Sequence, residues 1–194
     1  LSLTSVLAAR GNDILGIDIE KNKCKDIQKG ISPFFEPELE KLLKIGLRKK
    51  LKVSTDISLI KNSDMIFVTV GTPQRSNGSI ELSMIKNAVK SIGKILKNDT
   101  RNPIIFIKST VTPGTMQKIV LPILEKESGK KAGKDFGLIS NPEFLQESTA
   151  IKDTKFPHVV VLGGYQTKYM KKAKKFFSKI HPDIPIVLTN HQTA

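Results

Sequence analysis

The sequence predicts an α/β fold, a doubly wound and mostly parallel sheet. Three observations carry this. Apolar strand patterns and amphipathic helix patterns alternate along the chain. The strands are continuous apolar runs, such as those within DMIFVTVGTP and NPIIFIKSTV, which marks strands buried on both faces. Each such run ends in small, polar or acidic residues, where sheets of this kind open their ligand-binding edge.

The elements follow in order. LSLTSVLAARG places Leu3, Val6 and Leu7 at helical spacing, and Gly11 after Arg10 suits a helix end. NDILGIDIE reads as a strand ending at Asp18, and a helix pattern runs from Lys21 to about Lys29. The Ser32-Pro33 turn leads to an amphipathic helix with Leu39, Leu42, Leu43 and Leu47 on one face. LKVSTD is a short strand, ISLIKNS a short helix, and DMIFVTVGTP a strand closing in a turn. LSMIKNAVKSIGKIL is a helix and NPIIFIKSTV a strand. TPGTMQKIVLPILEKESG is a helix with Pro113 in its first turn. The strand DFGLIS, the helix-compatible acidic run ISNPEFLQESTAIKD, the strand HVVVLGG, the helix QTKYMKKAKKFFSKI and the strand IPIVLT complete the series. In the last helix Phe176, Phe177 and Ile180 turn inward and the lysines form a solvated face.

Composition narrows the function. The 194 residues carry 32 Lys+Arg against 18 Asp+Glu, a net charge of +14. Nucleic-acid binding is the sharp reading of that excess, but lysine is scattered over nearly every helix. Aromatic content of only 6% offers no stacking platform, so no nucleic-acid partner is expected. A positive field also favours anionic small molecules such as nucleotide diphosphates. No apolar run nears the ~20 residues of a membrane helix, and no membrane partner is expected. The single cysteine, Cys24, fits a reducing, cytoplasmic location and reads as structural. His158, His181 and His191 lack metal-ligand spacing, so no metal is expected.

Four positions stand at the carboxyl ends of strands: Asp18, the Gly71-Thr72-Pro73 turn, Ser109-Thr110-Val111, and the pair Glu143 and Glu147. Each has a plain structural reading beside the functional one. Asp18 is either an acceptor for a nucleotide's ribose hydroxyls or a cap. Gly-Thr-Pro is a common turn, and Ser109-Thr110 could cap the following helix. Lys108 reads as solvated. Glu143 and Glu147 would share a helical face and could serve as a general base, or they could complement a helix dipole.

In this order ARGNDILGIDIEKNK, ISPFFEPELEKLL, VGTPQRSNGSIELSMI, KSTVTPGT, SGKKAGKDFGLISNPEFLQESTAIKD and VVVLGG cover nearly the whole chain. They resemble the N-terminal, Rossmann-like domain of the UDP-glucose and GDP-mannose dehydrogenase family. The resemblance implies one NAD-binding domain over residues 1–194, with the first strand and glycine loop expected before Leu1. The catalytic cysteine and lysine, and the substrate domain, are expected after Ala194. It implies NAD as cofactor and two successive oxidations of a sugar carbon-6 alcohol through a cysteine thioester. UDP-glucose is the favoured substrate, with GDP-mannose or another nucleotide sugar as the alternative. A basic nucleic-acid-binding or regulatory module is the non-enzymatic alternative. The stretch given is not expected to complete the reaction by itself, and the full-length protein is expected to form a homodimer.

By the same resemblance Asp18 and Lys23 would hold the adenosine ribose. Val70, Gly71, Thr72, Pro73, Gln74, Ser109, Thr110 and Val111 would line the NAD path. Thr110 and Glu143 would stand at the reacting carbon. Glu143, Phe144, Leu145, Gln146 and Glu147 would contact substrate, with Glu147 also near the nicotinamide.

Overall fold

The computed structural model describes residues 1–146, 148–165 and 167–194, and they form two compact units. Residues 1–59 and 144–158 make the first, and residues 60–143 and 159–194 the second.

The first unit contains α1 (Ser2–Ala9), β1 (Ile14–Ile17), α2 (Lys21–Gln28), α3 (Leu39–Lys49) and β2 (Leu51–Ser54). The two strands pair in parallel, Ile14 opposite Leu51 and Ile17 opposite Ser54. Leu39, Leu43 and Gly46 fall on the buried face of α3, as helical periodicity requires. A Cβ on Gly46 would stand 2.9 Å from the Ala8 Cβ, so glycine lets α1 approach α3 closely. Ala8, Ile27, Leu43 and Leu51 form the core there. Later in the chain a short helix, α6 in order (Ala150–Lys155), joins this unit. Its first-turn Ile151 N–H donates to the buried Glu36 carboxylate at 3.1 Å, satisfying one of the free amides of a helix start.

The second unit contains β3 (Met65–Val68), α4 (Ser83–Leu96), β4 (Ile104–Ile107), α5 (Leu121–Ser128), β5 (Gly137–Ser140), β6 (Val160–Gly163), α7 (Thr167–Ile180) and β7 (Ile186–Thr189). The strands lie in the order β3-β4-β5-β6-β7. All neighbours are parallel except β5 and β6, which run antiparallel, so the sheet is mostly parallel as predicted. β4 and β5 are buried at every position, which explains the unbroken apolar sequence of β4 and the lack of charge in β5. Ile104, Phe106 and Ile139 pack with Met170, Ala173 and Phe177 of α7. Phe67 and Phe106 stack at 4.6 Å, and the Phe177 ring meets both edge-on.

Three local expectations change. The short helix predicted over ISLIKNS, residues 57–63, is a 3₁₀ turn over Ile57–Asn62. The helix predicted from Thr112 starts instead at Met116 with a π-type turn, and α5 follows. Pro122 lacks an amide hydrogen, so the regular ladder cannot pass through it. The run after Pro142 is irregular rather than helical, and helix resumes only at Ala150. Ser148 sits at φ +65, a left-handed conformation that interrupts any helix.

Candidate functional site

β3, β4 and β5 are parallel neighbours, so their carboxyl ends emerge side by side. The ladder runs one residue past each strand: the Lys108 amide donates to Val68 O and the Asn141 amide to Ile107 O, both at 2.9 Å. Val70 to Gln74 leave β3, Ser109 to Val111 leave β4, and Glu143 follows β5. Ser109 is buried, and its hydroxyl donates to the Val70 carbonyl at 2.6 Å. That bond ties two of the expected segments together. It also replaces the expected capping role, because helix begins only at Met116.

The turn after β3 is itself folded. Gln74 forms a bridge with Ile80, and the Glu81 amide donates to Pro73 O at 2.8 Å. Gly71, Pro73 and Gln74 are exposed, and Val70 and Thr72 are partly buried. Thr110 and Glu143 are exposed at the strand ends, with Val111 half-covered beside them. A hydroxyl and a carboxylate there can contact a ligand, and the carboxylate can accept a proton.

Lys108 overturns its expected solvated state. It is partly buried, and burial pushes its ammonium below the usual lysine value, opposed only by the charge of Glu143. Its spacing could have flagged it: it extends the Ile104, Phe106 alternation of a strand buried throughout. Asn141 is fully buried, its Nδ2 donating to Val161 O at 2.9 Å. Its Oδ1 is buried with no hydrogen-bond partner.

In the first unit Asp18 ends β1 and keeps partial exposure. Lys23 Nζ stands 2.6 Å from one carboxylate oxygen, and the Glu20 amide donates to the other at 3.0 Å. Burial alone would raise the Asp18 carboxyl, but the Lys23 hydrogen bond, the Glu20 amide and the lysine charge together hold it below its ordinary value. Asp18 therefore accepts from the Glu20 amide in a turn ahead of α2, which has no side-chain cap, and still presents a carboxylate. Cys24 is buried, its thiol 3.5 Å from Asp18 O, a structural position. Phe144, Leu145 and Gln146 are exposed, and the Gln146 amide donates to Asp153 at 3.1 Å. Glu143 is not on a helix, so the shared helical face expected for it and Glu147 does not form from its side; Glu147 lies outside the described residues.

Comparison with known proteins decides the family. Residues 1–181 match the model of the UDP-glucose/GDP-mannose dehydrogenase family, NAD binding domain. The chain belongs to this family. A GDP-mannose 6-dehydrogenase of Pseudomonas syringae pv. tomato is 43% identical over 93% of the chain and 41% of its own length. A UDP-glucose 6-dehydrogenase of Haloferax volcanii is 30% identical over 92% of the chain and 42% of its own length. The crystal structure of a ternary complex of GDP-mannose dehydrogenase from Pseudomonas aeruginosa superposes with a TM-score of 0.93 at 37% identity, covering 99% of this chain and 44% of that one. The chain thus spans less than half the length of the relatives it matches.

The fold is accordingly the Rossmann type of nucleotide-sugar dehydrogenases, and NAD is the cofactor of this family domain. The residues present fit that group. A carboxylate kept ionised and half-exposed after a parallel strand suits a pair of ribose hydroxyls. Its negative charge also opposes a 2′-phosphate at the same place. No helix among the described residues is long and apolar enough to cross a membrane.

Proposed function

We propose that the chain is the cofactor-holding part of an NAD-dependent nucleotide-sugar 6-dehydrogenase, with GDP-mannose the substrate to test first. The observation that carries the reaction class is the row of β3, β4 and β5 ends, with Thr110 and Glu143 exposed on it, in a chain of this family. The choice of sugar rests on 43% identity to a GDP-mannose enzyme against 30% to a UDP-glucose enzyme. UDP-glucose, favoured by the resemblance alone, is the second substrate.

The overall change is R–CH₂OH with water and two NAD⁺ to R–COO⁻, two NADH and three protons. Bound NAD would supply the hydride acceptor, one NAD⁺ for each of the two oxidations. Asp18 accepts from the ribose hydroxyls, and Lys23, paired with it, donates to a ribose oxygen from the other side. Val70 to Gln74 and Ser109 to Val111 would border the cofactor, a reading supported by the Ser109–Val70 bond that ties the two segments together. Thr110 orients the carbon-6 oxygen. Phe144 to Gln146, with Glu147, touch the sugar nucleotide. In the hydrolytic step water adds to the acyl carbon, its proton passes to the Glu143 carboxylate, and the sulfur leaves as thiolate. A carboxylate at a strand end supplies the base that such a step needs.

The test follows NADH formation by the whole protein that carries this chain, with GDP-mannose and UDP-glucose in separate reactions. Two NADH per sugar with one of them supports the proposal and names the substrate. No NADH with either, combined with salt-sensitive DNA binding that ignores NAD, would favour the non-enzymatic module.

A further inference from the structure

Lys108 is the least expected residue of the second unit. Its side chain continues the face of Ile104 and Phe106 at the end of a strand buried throughout. Among the described residues its ammonium has no hydrogen-bond or ion-pair partner, unlike seven other basic side chains that pair with carboxylates at 4 Å or less. Packing does not call for a charge there, because an apolar side chain would continue that face. A cation held partly out of water without a partner is costly, and such groups are kept where they act on something. Two groups lie on the adjacent strand's exit. The register Ile107 opposite Ser140 sets Lys108 beside Asn141, whose Oδ1 is buried and unpartnered. Two residues on is Glu143, whose charge is the one that acts on the lysine.

We propose that Lys108 is a positioning residue for Glu143: from the end of β4 its ammonium holds the Glu143 carboxylate toward the strand ends, where the hydrolytic water must be met. Asn141 Oδ1 offers the ammonium an acceptor on the same edge, so the lysine is steered from one side and attracts the carboxylate on the other. This rests on the functional reading above, in which Glu143 takes the proton of that water. A positioning defect should then slow hydrolysis and spare hydride transfer, since the first oxidation does not use that proton acceptor.

The experiment has two arms on the whole protein, so that failure of the reading and failure of the inference are separable. In the first, lysine Cε is labelled with carbon-13 and Lys108 is assigned by its loss in Lys108→Arg. Its titration midpoint is compared between wild type and Glu143→Gln. The expected result is a fall in Glu143→Gln; an unchanged midpoint means that the lysine does not sense Glu143 and overturns the inference, whatever the substrate proves to be. The second arm compares Lys108→Met and Lys108→Arg in rapid-mixing kinetics. Expected is a first NADH burst at wild-type rate followed by turnover slowed roughly tenfold in Lys108→Met, part of the 10²–10⁴-fold that acid–base groups supply. Lys108→Arg should recover most of it. Equal slowing of burst and turnover, or no slowing of either, overturns the inference. A wild-type protein that forms no NADH with any nucleotide sugar refutes the functional reading, and the labelling arm still decides whether the two residues are coupled.

Discussion

Asp18 and Lys108 are both ionisable residues at strand ends, and their surroundings push them to opposite uses. The Asp18 carboxyl is held down by Lys23 and the Glu20 amide against the effect of burial. A depressed carboxyl contributes to stability above its ordinary value and loses that contribution only as pH falls through the lowered one. Asp18 should therefore stay charged at a pH where exposed carboxylates are partly protonated, and NAD affinity should persist there. Asp18→Ala should weaken NAD by roughly ten- to a hundredfold, the range for hydrogen bonds to a charged group. It should also narrow the gap between NAD and NADP, which titration of both cofactors would read. Lys108 is lowered by burial, so between its folded value and the ordinary one near 10.5 the unfolded chain binds more protons than the folded chain. Stability contributed by this site thus rises with pH across that window. Lys108→Met should stabilise the fold near neutral pH, by on the order of 1 kcal/mol. The gain should shrink as pH approaches 10.5; denaturant melts at two pH values would show a constant gain if the lysine were solvated after all. Asp18 was legible because an acid closing an apolar strand is a pattern with a chemical use. Lys108 was not, since a lysine among so many reads as surface until the strand beneath it is known to be buried on both sides.

At the scale of elements, β4 and β5 were the plainest strands to predict, because burial at every position leaves a sequence little freedom. What they could not give was direction within the sheet: nothing in HVVVLGG announces that β6 runs antiparallel to β5 while β7 runs parallel to β6. The acidic run after Pro142 misled for another reason. Its spacing suits a helix, but the Gln146 amide and the Thr149 hydroxyl are taken by Asp153, a local bonding pattern that competes with helix. The helix after Pro113 began late because Gly114 sits at φ +87, a left-handed conformation that a right-handed helix cannot include, and the missing amide of Pro122 leaves a π-type turn ahead of α5. Packing of α7 on the sheet rests on one feature that the pattern hides, a glycine at the start of β5. A Cβ at Gly137 would stand 2.7 to 2.8 Å from atoms of Tyr169, whose hydroxyl donates to Lys134 O. The neighbour is a ring base fixed to the helix rather than a flexible tip, so it cannot yield cheaply. Gly137→Ala should cost about 1–3 kcal/mol, the usual range for overpacking a core. Thermal melts would check this, and Gly71→Ala serves as the control, because its Cβ would meet only Met84 Sδ at an ordinary 3.6 Å.

For the molecule as a whole, the family was legible in the order of its motifs and the substrate was not, because GDP-mannose and UDP-glucose enzymes both match this same stretch. The net charge of +14 is the other global property, and it has two physical consequences that separate the competing functions. An enzyme for an anionic nucleotide sugar uses the positive field to speed encounter, an effect screened once the Debye length shrinks to about 10 Å at 0.1 M salt. A nucleic-acid binder instead releases counterions, so its affinity falls as a steep power of salt, losing about 10³- to 10⁵-fold between 50 and 200 mM for six to ten phosphate contacts. The lysines of α7 favour the first reading: they occupy one exposed face, while Tyr169, Met170, Ala173 and Phe177 fill the other. Lys168 Nζ stands 4.8 Å from the Tyr169 ring, but that ring is buried and not free to stack a base. In the whole protein kcat/KM for the nucleotide sugar should fall a few-fold between low and moderate salt, while kcat stays level, since the field acts on encounter and not on chemistry. Steady-state kinetics across a sodium chloride series would measure both constants. A kcat/KM that ignores salt would mean that the lysines are only a solvated coat. A duplex DNA affinity that drops by orders of magnitude over the same series, with NAD unable to compete, would assign the charge to a nucleic acid and take the cofactor reading of the sheet edge with it.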